Sequence, residues 1–225
     1  MNLTGPITLN AHQRLVLLGP PCSGKGTAAT WLTRRFHIPH LSTGAIFREQ
    51  IAVRNEMGKL VNRFVSKGEL VPDEMAFKVV DHWMKEHTED GFVSDGFPRT
   101  LVQAKFFQNL LSSYGVKLDR VIYLNISQAV AEKRVLGRLV CKWCGQNFHV
   151  THRPPKKEGV CDVCGGLLLR RGDDALKTLQ QRWAVFENQT AGLVSFYRNL
   201  GILYEVDANG ELESMCQMIW ETIVK

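Results

Sequence analysis

The chain of 225 residues has no apolar run long enough to cross a bilayer: stretches such as Leu15 to Leu18 and Leu167 to Leu169 fall far below the roughly 18 to 20 residues required. A membrane partner is therefore not expected. Lys and Arg are missing from residues 1–12, which hold no sustained apolar stretch either, so the segment reads as neither a secretory nor a transit leader and the expected address is cytoplasmic. Internal repeats and low-complexity segments are also lacking. So is any block of roughly five or six basic residues, which weighs against a nucleic-acid partner; the densest groups are Arg34-Arg35, Lys156-Lys157 and Arg170-Arg171. The charge balance still favours an anionic ligand, because 28 Lys and Arg against 22 Asp and Glu leave a formal net charge of +6. With 44% hydrophobic and 22% charged residues, disorder is excluded for the bulk, and the length suits one core with small insertions.

Apolar runs that can serve as buried parallel strands lie at 14–18, 40–42, 92–94, 121–125 and 202–206. Helical periodicity fills the intervals at 24–36, 43–55, 58–67, 72–87, 100–113, 127–139, 173–200 and 211–224. This alternation predicts an α/β fold, a doubly wound parallel five-stranded sheet with helices on both faces. Residues 141–170 break the rhythm, being rich in Gly, Pro and Cys without a helical period, and read as an inserted module.

The first strand runs into Gly19-Pro-Pro-Cys-Ser-Gly24-Lys25-Gly26-Thr27, which fits GxxxxGK with the Thr one residue late and opens the first helix. Glycines there let backbone N–H groups turn inward around phosphate oxygens, and the helix N-terminus adds a favourable field. Lys25 supplies a mobile cation. A nucleoside triphosphate site follows.

Gly26, where many phosphate loops carry Ser or Thr, points to the nucleoside monophosphate kinases. LSTG at Leu41 to Gly44 with Arg48, GELV at Gly68 to Val71, and DGFPRT at Asp95 to Thr100 with Gln103 follow in order. So do RxxGR at Arg134 to Arg138, RGDD at Arg171 to Asp174, and Arg182. From about Arg14 to its end the chain resembles the long adenylate kinases, whose reaction converts MgATP and AMP to two ADP. The resemblance implies a P-loop core (1–41, 72–136 and 175–225), a helical AMP-binding insertion at 42–71 and a zinc-binding lid at 137–174, in a monomer.

That reaction needs no general base, since the acceptor phosphate is already mostly ionised near neutral pH; the difficulty is to hold two polyanions in line through a loose transition state. Spaced single arginines suit it, because a guanidinium pairs bidentately with phosphate and keeps its charge. By resemblance, Arg48 and Arg99 bind the AMP phosphate, Arg138, Arg171 and Arg182 clamp the transferring group, and Arg134 lies over the ATP adenine. Gly19, Gly24, Lys25, Gly26 and Thr27 cradle ATP. Val71 and Gly96 line the AMP side, and Thr43 and Gln103 read its base. Asp95, at the end of a predicted strand, is placed to hold Mg2+ through water.

Two positions depart from the family pattern. Ala45 stands where Asp is usual after STG, removing a carboxylate that could organise Mg2+ waters or orient Arg48. Cys22 stands where Gly is usual in the loop, which implies that glycine-favouring backbone angles are dispensable there.

Cys141-x2-Cys144-x16-Cys161-x2-Cys164 has the count and pairing of a structural tetrathiolate Zn2+ site, with iron or cobalt left open as substitutes. Because zinc ribbons often bind nucleic acid, the alternative is a phosphate-loop protein whose ribbon contacts RNA or DNA. Against it, the module interrupts the arginine series between Arg138 and Arg171, as a hinged cover over ATP does. Four cysteines suffice for the metal, so His149 and His152 are expected as surface or lid-contact residues. Cys216 and most of the five tryptophans are expected to pack.

Overall fold

The computed structural model describes residues 12–87, 89–172 and 174–224. Residues 1–11, most of the segment where no leader was expected, and Asp173 of the RGDD motif lie outside them. In chain order the elements are β1 (Arg14–Leu18), α1 (Lys25–Phe36), β2 (His40–Ser42), α2 (Thr43–Val53), α3 (Glu56–Val65), α4 (Asp73–His87) and β3 (Phe92–Asp95). There follow α5 (Leu101–Ser113), β4 (Arg120–Asn125), α6 (Gln128–Leu136), β5 (Arg138–Cys141), β6 (Asn147–His149) and β7 (Leu168–Leu169). The chain continues through α7 (Leu176–Val185), a π-helical turn (Phe186–Thr190), α8 (Gly192–Asn199), β8 (Leu203–Asp207) and α9 (Leu212–Val224).

The central sheet has the order β2-β3-β1-β4-β8 and is parallel throughout. Its inner strands β1, β3 and β4 are largely buried on both faces, and their successive side chains divide between two apolar layers, whereas the edge strand β8 leaves Tyr204 and Glu205 exposed. Leu15, Leu17, Ile122 and Leu124 meet Ala28 and Leu32 of α1 and Cys216 and Ile219 of α9. Val16, Leu18 and Val121 meet Val80 of α4, Phe107 of α5 and Leu193 of α8. Local chemistry sets several helix starts: Ser42, Asn55, Thr100 and Ser127 each accept a hydrogen bond from the backbone N–H three residues on.

This topology positions the site. From β1 the chain crosses to β2 on one side, whereas from β3 it crosses back to β4 on the other, so a crevice opens at the carboxyl ends of β1 and β3. Both predicted phosphate-side motifs, Gly19 to Thr27 and Asp95 to Thr100, leave the sheet there.

Two helix expectations are corrected, and the inserted module, which has no helix as expected, gains a sheet. The helix read at 127–139 stops at Leu136, and Arg138 starts a strand. The helix read at 173–200 is divided by the π-helical turn, where Ala191 N–H bonds to the Phe186 carbonyl at 2.8 Å. The module without visible periodicity contains an antiparallel sheet of order β6-β5-β7. Its small apolar cluster consists of Cys141, Phe148, Cys161 and Leu168 with Leu139 against them. Among the described residues, no helix is long and apolar enough to cross a membrane.

Candidate active site

A cavity of about 710 Å3 occupies the crevice and continues beneath the small sheet. Its floor is the phosphate loop. Gly19 and Gly24 have φ of 150° and 98°, angles that favour glycine, and the turn they make points backbone N–H groups inward. Cys22 has φ 62°, so the expectation that a non-glycine residue relaxes the loop is corrected: the left-handed conformation is kept and the cysteine bears it. Its side chain packs beside Ile126 and Ala131, contacts that offset the strain.

Lys25, the first residue of α1, is half-buried and donates to the carbonyls of Gly19 and Pro20 at 2.8 and 2.7 Å and to Ser23 Oγ at 3.3 Å. Burial pulls its pKa down to about 8, against the attraction of Asp95. Gly26 and Thr27 of the next turn also line the cavity, and Asp95 Oδ2 lies 3.4 Å from where a Cβ on Gly26 would stand. Asp95 ends β3, with His40 Nε2 3.9 Å from Oδ2. Burial lowers the His40 pKa, so the ring is neutral beside the carboxylate at ordinary pH.

On the wall where AMP was expected, Gly96 organises its neighbours. Its carbonyl accepts from Thr43 Oγ1 at 2.9 Å and from Arg99 Nε at 2.8 Å. Its φ is 86°, and a Cβ there would lie 3.0 Å from Arg99 Nη2 and 3.2 Å from Thr43 Oγ1. Only glycine lets both side chains sit on that peptide. Arg99 is exposed towards the open crevice; desolvation by the surrounding walls, with Arg182 and Arg48 nearby, lowers its pKa against the pull of Asp95, yet a guanidinium stays charged. Gln103 is 3% exposed, its Oε1 accepting from Arg99 N–H and its Nε2 donating to Asp73 Oδ1, each at 2.7 Å. One lone pair and one N–H remain for a ligand. Val71 and Arg48 complete this wall.

On the wall where ATP was expected, Arg134 Nη2 donates to the carbonyls of Ala208 and Gly210 at 2.7 and 2.8 Å. With the edge of the guanidinium held, its face is what remains for a planar ring. Arg138 makes a two-pronged pair with Asp174, joining the first lid strand to the segment that leaves the lid. Arg171 Nη2 donates to Asn147 Oδ1 at 3.2 Å. Arg182 crosses from α7 to within reach of Gly68.

Every predicted nucleotide-site residue thus borders this one cavity. Sequence reasoning missed Asn147, Phe148 and Arg153 of the lid and the stretch Asn209 to Met215, which also line it. The stretch carries no motif; the signal that finds it is its place directly after the carboxyl end of β8. His149 and His152 face the cavity as well, with ring centroids 4.6 Å apart. Cys216 is buried as expected, whereas Trp143 is 71% exposed on the lid.

In the lid the four thiols form the one cluster of metal-ligating side chains among the described residues, all Sγ atoms lying within 4.8 Å of one another. Cys141 and Cys164 are 3.4 Å apart and Cys144 and Cys161 3.6 Å. A tetrahedral ion with bonds of about 2.3 Å needs sulfurs about 3.8 Å apart, so the set can close on a metal with small adjustments. Backbone N–H groups of Trp143 and Val163 point at Cys141 and Cys161 Sγ, each at 3.4 Å.

Comparison with known proteins gives a family model described as adenylate kinase, matching residues 17–202. The adenylate kinase of Caldicellulosiruptor saccharolyticus is 44% identical over 201 residues, covering 89% of this chain and 93% of the relative. That of Streptomyces coelicolor is 42% identical over 212 residues, with 93% and 98% covered. That of Archaeoglobus fulgidus is 39% identical over 210 residues, with 93% and 95% covered.

Proposed function

Since the chain belongs to the adenylate kinase family and is thereby a nucleoside monophosphate kinase, we propose that it moves the terminal phosphoryl group of MgATP to AMP between named residues of this cavity. The core comprises 1–41, 72–136 and 175–225; ATP lies between it and the lid at 137–174, and AMP against the insertion at 42–71. The observation that carries this is the convergence of Lys25, Arg48, Arg99, Arg138, Arg171 and Arg182, from separate elements, on one cavity. A solvated surface does not gather six cations against their mutual repulsion; two bound polyphosphates offset it.

Lys25 and the loop N–H groups hold the outer phosphates of ATP, and Mg2+ sits beside Asp95. Arg134 covers the ATP base. Arg48 and Arg99 hold the AMP phosphate, while Arg138, Arg171 and Arg182 meet the charge that develops in transfer. Thr43 and Gln103 read the AMP base, the free lone pair and N–H of the amide matching the donor and acceptor of an adenine edge. Lid residues Asn147 and Phe148 line the same cavity, which favours a cover over a separate nucleic-acid module. Zn2+ is the metal that best suits the four thiols and would fold the lid without touching a reacting oxygen. We take the protein to act as a monomer in the cytoplasm, where six cysteines without a disulfide are at home.

The roles are tested by splitting the kinetic constants. Arg138→Ala is expected to lower kcat by on the order of 100-fold with little change in either KM, and Arg99→Ala to raise the AMP KM first. An unchanged AMP KM in Arg99→Ala, or an unchanged kcat in Arg138→Ala, would contradict the assignment.

A further inference from the structure

Gly137, the glycine of the Arg134 to Arg138 motif, caps α6 with φ −101° and ψ 1°, angles open to any residue. Backbone conformation does not explain it. A Cβ at Gly137 would overlap Cε1 and Nε2 of the His149 ring and stand 2.9 Å from Nδ1. The glycine makes room for the imidazole. His149 ends β6, pairs with Arg138 across the lid sheet, and is followed by Val150, whose N–H donates to the Gly137 carbonyl at 2.9 Å.

The ring is fixed at both nitrogens. Nδ1 faces the backbone N–H groups of Thr151 at 3.1 Å and His152 at 3.2 Å and the Thr151 hydroxyl at 3.0 Å, so it accepts. The proton is then on Nε2, which donates to the Lys133 carbonyl in the last turn of α6 at 3.4 Å. Burial holds this imidazole below the ordinary histidine range; the Lys133 carbonyl opposes that, and the charges of His152 and Arg134 add to it. Neutral, the ring ties a lid turn to the end of a core helix.

We propose that His149 is a positioning residue for the transfer: seated on Gly137 and bonded to the end of α6, it fixes the angle at which the lid leaves the core. Arg134 lies one turn before that seat and Arg138 directly after it. The ring thereby sets the guanidinium over the ATP base and the guanidinium on the transferring group relative to each other. A loosened seat leaves both arginines present and misaligned, which costs rate in an in-line transfer.

A double-mutant cycle over Gly137→Ala and His149→Ala tests this, with kcat and both KM values measured for each variant. Gly137→Ala alone is expected to lower kcat about tenfold or more while the AMP KM stays within about twofold. His149→Ala alone lowers kcat as well. Adding Gly137→Ala to His149→Ala should change kcat by less than about twofold, because the methyl group then meets no ring. If Gly137→Ala alone fails to fold its lid, recovery of kcat to the His149→Ala level in the double variant still reads the seat. Gly137→Ala equally harmful in both backgrounds would overturn the proposal. So would His149→Ala that raises the ATP KM with kcat intact, the behaviour of a direct nucleotide contact. The proposal rests on the roles given to Arg134 and Arg138: those fall if Arg138→Ala keeps its kcat, whereas absence of coupling in the cycle removes the seat alone.

Discussion

In the proposed transfer Lys25 supplies a charge to the phosphates, and it is placed where that charge is expensive to keep. Half-buried against two carbonyls and a hydroxyl, it loses its proton near pH 8 in the free protein instead of near the ordinary 10.5. A bound triphosphate brings negative charge beside it and restores the proton. The sign follows: kcat/KM for ATP, which reports the free enzyme, should fall as pH rises above about 8, while kcat holds to higher pH. Paired pH profiles check it, and two limbs that fall together at one pH would count against it. Gly96 supplies a second test at the scale of one residue. Gly96→Ala forces a strained φ and crowds Arg99 and Thr43, so the AMP KM should rise by about tenfold, equivalent to about 1.4 kcal/mol, with the ATP KM little changed. A rise confined to ATP would show that this peptide does not organise the acceptor side. Not every residue was legible from its type: Cys22 kept the angle that its replacement of glycine suggested was lost. A left-handed φ is tolerable at about 1 to 2 kcal/mol where packing offsets it, and no one-letter pattern displays that packing.

At the scale of elements, the inner strands β1, β3 and β4 were readable because each is short, apolar and largely buried on both faces, and helices such as α1, α4, α5, α8 and α9 because each lays an apolar stripe on the sheet. The lid strands were not, since Leu168 and Phe148 are nearly all the apolar side chains they bury and two of the remaining cluster members are cysteines. There a metal held by the four thiols would stand in for a core. Four-thiolate binding in small zinc peptides contributes on the order of 10 to 16 kcal/mol, far more than such a cluster can. Strong chelation, or Cys144→Ser, should therefore lower the melting temperature and raise amide exchange within 138–169, while protein that stays folded in the cold keeps part of its activity. Metal analysis with melting and exchange before and after chelation checks this. Protein purified under reducing conditions with no bound metal and an unshifted melting curve would contradict it. The π-helical turn was equally hidden, because the sequence of Phe186–Thr190 carries no Gly or Pro to mark a break within 173–200.

For the molecule as a whole, the fold is an arrangement for bringing cations from distant parts of the chain to one crevice. Lys25 follows β1, Arg99 follows β3, Arg138 and Arg171 flank the lid sheet and Arg182 rides on α7. Motif order made this convergence legible, since each arginine sits in a recognisable local pattern. The wall from Asn209 to Met215 has no such pattern and came only from tracing where β8 ends. The central claim is that one cavity joins ATP to AMP in particular. Its most direct test is the assay of purified protein with MgATP and, in turn, AMP, UMP, CMP and GMP, following formation of both diphosphates. The account predicts ADP from AMP at a kcat/KM exceeding that for the other three by at least tenfold, a preference blunted in Gln103→Leu by about 1 to 3 kcal/mol. Equal use of all four monophosphates, or a preference for one other than AMP, would contradict it.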